Sequence, residues 1–66
     1  MFIKLTGFKN NSTLMLLISS IVAIDTAVNS EGSAYTGINL NGMPGVMFAV
    51  KETPEQIMEM IENAKN

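Results

Sequence analysis

The chain has 66 residues, a formal net charge of −2, and neither cysteine nor histidine. Disulfides, thiolate metal sites and the commonest metal ligand and general base are therefore excluded. Four lysines without a single arginine give no basic footprint, so direct binding of nucleic acid is not expected.

A chain of this length makes one domain, residues 1–66, and such a domain buries only ~60% of the surface its unfolded form exposes. Small domains commonly add disulfides, a metal or oligomerisation, and only the last is open to this composition. Yet 47% of the residues are apolar and only 15% charged. A small domain has proportionally more surface to cover with polar groups. The apolar excess predicts surface buried against a second copy, in a homo-oligomer. Six methionines, whose flexible thioethers fill irregular contacts, fit that expectation.

In chain order, residues 2–6 (FIKLT) predict a strand with Ile3 and Leu5 on one face and Lys4 and Thr6 on the other. Residues 7–12 predict a turn or loop. Residues 14–24 (LMLLISSIVAI) are the most apolar stretch of the chain. They are too few for a membrane span, which needs ~20 apolar residues, and Asp25 ends the run. Read as the apolar middle of a secretion signal headed by Lys4 and Lys9, the run would put Asp25 where the cleavage site needs a small neutral residue. Cleavage would also leave a fragment of roughly 40 residues, near the lower limit for independent folding. The expectation is a core segment of a cytoplasmic protein, with no membrane partner.

The β-branched Ile18, Ile21, Val22 and Ile24 favour strand. Ser19 and Ser20 break it into two short strands or one bent strand. A strand apolar on both faces is buried on both, and in so small a domain the second cover would come from a partner chain.

Residues 25–33 (DTAVNSEGS) predict a loop. Residues 34–40 (AYTGINL) predict a strand with Thr36, Ile38 and Leu40 on one face, and Gly37 within it predicts a bulge or a close backbone approach. Asn41-Gly42 predicts a hairpin turn with positive φ angles, extended by Pro44-Gly45. Residues 46–51 (VMFAVK) return as a strand with Val46, Phe48 and Val50 on one face. The period then changes. Thr53 as N-cap, Pro54 at the first helical position and Gln56 closing a capping box predict a helix start. Ile57, Met60, Ile61 and Ala64 follow as one apolar stripe, with Met58 to its side. The fold predicted is a small α+β domain: an antiparallel β-meander of four or five strands within residues 2–51 and one C-terminal helix over about 54–65.

The order IKLT (residues 3–6), IVAID (21–25), Asn41-Gly42 and VKETPEQIMEMI (50–61) resembles the FlbD-like flagellar and swarming-motility small proteins and short phage reading frames of similar pattern. The resemblance implies a strand-rich body followed by a helix, no catalytic residues, and a role in motility regulation or as a phage accessory protein. The MPG that follows the Asn-Gly turn and the small side chains of residues 25–33 depart from that pattern.

No catalytic constellation is present. Glu55, Glu59 and Glu62 share a helix side, where solvated carboxylates are the ordinary arrangement, and Ser19-Ser20 has no histidine to activate it. A non-enzymatic protein without cofactor or metal is expected. Two binding roles remain. In the first, a homo-oligomer sequesters a small nucleotide-like ligand at subunit interfaces, as a phage counter-defence protein would. Lys9, Asn10, Asn11, Tyr35, Asn39 and Lys51 are its candidate ligand-binding residues, because cations, amides, an aromatic ring and glycine-rich backbone together can hold a phosphate and a base. In the second, the chain is a protein-interaction adaptor, a motility regulator or an inhibitor of a host protein, with Phe8 and Met43 as exposed anchors. The first predicts a pocket, the second an open apolar patch.

Overall fold

A computed structural model describes residues 1–65. Five strands precede one helix: β1 (Phe2–Thr6), β2 (Thr13–Leu17), β3 (Ile21–Val28), β4 (Ala34–Leu40), β5 (Met47–Val50) and α1 (Pro54–Lys65). A single 3-10 turn, Ile18–Ser20, separates β2 from β3 at the serines. The small α+β architecture is as the sequence predicts, and the strands form two antiparallel sheets, β1-β2 and β3-β4-β5.

Alternation decides which side of each strand is buried. In β1, Ile3 and Leu5 point inward; they pair with Leu16 and Leu14 of β2 and share their face. In the second sheet Ile24, Ile38 and Phe48 lie side by side across three strands, and Thr36 stands beside Val50. The core gathers Ile3, Leu5 and Leu16 from the first sheet, Ile38 and Val50 from the second, and Ile57 from the helix. The helix packs against β1 and β3, so each layer covers the apolar face of another. Ile57, Met60 and Ile61 of the predicted stripe pack into this core, Ala64 borders a groove beside β1, and Met58 stays 51% exposed.

The two sheets meet at one joint. Beyond the end of β1, Gly7 pairs with Val50. The Lys51 N–H donates to the Thr6 carbonyl at 2.9 Å and the Phe8 N–H to the Ala49 carbonyl at 3.0 Å. The Glu52 carboxylate then accepts from the Thr6 N–H at 2.9 Å and from the Thr6 hydroxyl at 3.0 Å. These partners are 46 residues apart in the chain.

The helix start follows its local chemistry. The Thr53 N–H donates to Gln56 Oε1 at 2.9 Å, and the Gln56 N–H donates to Thr53 Oγ1 at 3.1 Å, a reciprocal capping box.

Three expectations need correction. Residues 25–28 are strand, not loop. Asp25, Thr26, Ala27 and Val28 pair with Gly37, Thr36, Tyr35 and Ala34, and the polar residues that suggest a loop stand on an open edge of the sheet. The connection narrows to residues 29–33, where Asn29 Oδ1 accepts the N–H groups of Glu31 and Ser33, both at 2.9 Å. Second, the connection is extended through Pro44-Gly45 as expected, but of the Asn41-Gly42 pair only Gly42 takes a positive φ. Two successive turns close it, Met43 N–H to Leu40 carbonyl at 3.3 Å and Val46 N–H to Met43 carbonyl at 3.2 Å. Gly42 and Gly45 take φ 84° and 78° at the third position of each, the type II pattern, with Pro44 at the second position of the latter turn. Third, Val46 lies ahead of β5 and is 40% exposed, so only Phe48 and Val50 of its predicted face point inward.

The run over residues 14–24 is not doubly buried within one chain. Leu16 is its only buried member, and Met15 and Val22 are 57% and 67% exposed. The outer face of the first sheet carries Phe2 beside Leu17 and Lys4 beside Met15.

Hydrogen bonds to a charged acceptor contribute about 1.5–3 kcal/mol. Glu52→Ala therefore should lower unfolding free energy by roughly that amount in urea titrations, while Glu52→Gln, which still accepts from the Thr6 N–H, should lose distinctly less.

Candidate functional site

Three separate open grooves receive the candidate residues. The first, of about 350 Å³, lies where the loop of residues 7–12 passes β5, and Phe8, Lys9, Asn10, Met47 and Ala49 are among the residues that line it. The loop is closed by the Gly7 N–H to the Ser12 carbonyl at 2.7 Å and the Asn11 N–H to the Gly7 carbonyl at 3.2 Å. Asn11 makes this possible by adopting φ 58°, the one non-glycine residue with positive φ among the described residues. Asparagine tolerates that region better than most residues. Asn10 Oδ1 accepts from the Ser12 N–H at 3.1 Å, which leaves its amide nitrogen as a donor.

Tyr35 joins this groove through Phe8. The two rings stack with centroids 5.2 Å apart and planes tilted by 35°, a geometry within the favourable range for aromatic pairs. The Phe8–Ala49 backbone bond places Phe8 at the margin of the second sheet, so its ring reaches Tyr35 of β4. Phe8 is half-buried rather than a free anchor.

Asn39 and Lys51 lie elsewhere. Asn39 borders a groove of about 410 Å³ under the residue 41–45 loop, and its Nδ2 donates to the Val46 carbonyl at 3.2 Å. Its amide thereby helps hold the β4–β5 connection. Lys51 borders a groove of about 430 Å³ with Glu52, Gln56, Glu59 and Met60. There Glu52 is engaged by Thr6 and Gln56 by Thr53. Lys9 and Asn10 thus share one groove, Asn11 stands in the same loop and Tyr35 reaches it through Phe8, while Asn39 and Lys51 border other grooves.

Met47 is the lining residue that sequence reasoning misses, although a signal for it exists. Gly37 is buried beneath it: a Cβ at Gly37 would fall 2.3 Å from Met47 Sδ and 2.8 Å from its Cγ. The register is regular at Gly37, so neither the bulge nor the close backbone approach expected there is made; the glycine instead makes room for a side chain from the neighbouring strand. Met47, laid over Gly37, forms part of the groove wall beside Lys9.

No helix among the described residues is long and apolar enough to cross a membrane. Comparison with protein-family models, with curated proteins and with solved structures gave no match.

Gly37→Ala is expected to destabilise the protein and to push Met47 outward. Since Met47 is 46% exposed and flexible, the loss should be about 1 kcal/mol and should shrink in a Met47→Ala background. A double-mutant cycle by chemical denaturation checks this; equal losses in both backgrounds would contradict the packing.

Proposed function

We propose that this chain is a non-enzymatic binding protein that works as a homo-oligomer and holds a small anionic, nucleotide-like ligand in the groove at Lys9. The observation that carries the reading is the shared groove of Lys9, Asn10 and Phe8, with Phe8 stacked on Tyr35. An ammonium and an amide donor suit a phosphate, and an aromatic pair beside them suits a planar base. Asn39 and Lys51 have no part in this groove. Sequestration of such a ligand by a phage protein is the setting that the sequence resemblance supplies.

A second reading rests on a different observation. Phe2, Met15 and Leu17 expose 59%, 57% and 37% of their surface on one face of the first sheet. An adaptor, whether a FlbD-like motility regulator or an inhibitor of a host protein, would use that face. Its mark is a protein that co-purifies with the wild type and is lost from Met15→Asp.

The chain has one tyrosine and no tryptophan, so its intrinsic fluorescence reports on Tyr35 alone. Titration with adenosine diphosphate should quench it saturably. Lys9→Ala should weaken binding by about tenfold or more, the loss of one charge-assisted contact, while Lys51→Ala should leave it unchanged. Absence of quenching, together with a bare mass for the cell-purified protein in native mass spectrometry, would overturn the ligand reading.

A further inference from the structure

We infer that β3 is a docking edge for a second copy of this chain, joined antiparallel and in a register centred on Thr26. The inference rests on the homo-oligomeric part of the function proposed above and names the surface.

β3 is the longest strand, eight residues, and it is the outer strand of its sheet, paired only with β4. Along an antiparallel edge, alternate residues turn their N–H and C=O groups away from the neighbouring strand. Proteins usually blunt such an edge with lysine, proline, a bulge or a covering element. β3 contains no lysine and no proline, and its irregularity is confined to its start, between Ile21 and Ala23. The regular part, from Ile24 to Val28, carries Asp25 as its sole charge.

The sequence of this part selects a second copy as the occupant. A two-fold axis perpendicular to a sheet keeps each strand's faces, so a residue pairs with one of the same face in its partner. Centring on Asp25 would oppose two carboxylates, which is destabilising. Centring on Ile24 would carry the pairing into the irregular segment. Centring on Thr26 sets Thr26 against Thr26, Ile24 against Val28 twice, and Asp25 against Ala27 twice. Threonine pairs and aliphatic pairs directly opposite one another are favourable. The surface fits as well. Val28 is 62% exposed on the side that carries Ile24 and Thr26. Of the other outer strands, β1 and β5 meet at the joint of residues 6–8 with residues 49–51, and β2 is only five residues long, bounded by the 3-10 turn at one end and the residue 7–12 loop at the other.

Cysteine crosslinking tests the register without interference, because the chain has no cysteine of its own. Directly opposed residues in an antiparallel pair have Cα atoms within disulfide reach. Thr26→Cys should oxidise to a covalent dimer about tenfold faster than Asp25→Cys or Met15→Cys. Thr26 is exposed, so the substitution does not disturb the core. Sedimentation should find the wild type self-associated, and Val28→Lys should be monomeric with an unchanged circular-dichroism spectrum. An assembly that survives Val28→Lys and crosslinks best through Met15→Cys would overturn the β3 interface while keeping the homo-oligomer. A wild type that is monomeric at every concentration, with Thr26→Cys no faster than its controls, would overturn both.

Discussion

The contact between residues 6–8 and residues 49–52 decides whether this chain has one core or two fragments. Each sheet alone is small, and a two-stranded hairpin has marginal stability in water. Two backbone hydrogen bonds and two to the Glu52 carboxylate join them. That joint brings Leu5 and Val50 into the same core, and α1, which follows Glu52 almost at once, covers both sheets from there. Ile57 is fully buried because the helix begins where the joint ends. The placement of Phe8, and with it the groove at Lys9, also depends on this contact, since the Phe8 N–H bonds to Ala49.

Much of the fold is legible in the sequence where the governing physics is local. Thr53 and Gln56 satisfy each other's backbone donors three residues apart, so the helix start can be read from four letters. Ile3 with Leu5, and Ile38 with Thr36, follow the two-residue period of a half-buried strand. The break at Ser19-Ser20 is real, and the turn there lets one apolar run serve two sheets.

What is not legible is non-local. Nothing near Thr6 announces Glu52, and a glutamate before a helix ordinarily reads as a solvated charge. The strand character of residues 25–28 comes from pairing with β4, against a composition that suggests a loop. Asn-Gly favours positive φ at both residues, but the extension through Pro44-Gly45, itself legible, divides the connection into two successive turns in which only the glycines take it. Of the six candidate ligand residues, Lys9, Asn10 and Asn11 share a loop, and Tyr35 joins them only through a ring contact with Phe8. Asn10 and Asn11 also serve the loop they sit in, and Asn39, near the end of β4, holds the β4–β5 connection, roles that residue type alone does not distinguish from ligand recognition.

Native-state hydrogen exchange at single amides tests the central claim most directly. If the joint unites the core, the amides of Thr6, Phe8 and Lys51 exchange only through global unfolding, with the same free energy as Ile38 in the middle strand. If they exchange by a cheaper local opening while Ile38 stays protected, the first sheet detaches on its own and the joint is not what holds the fold together.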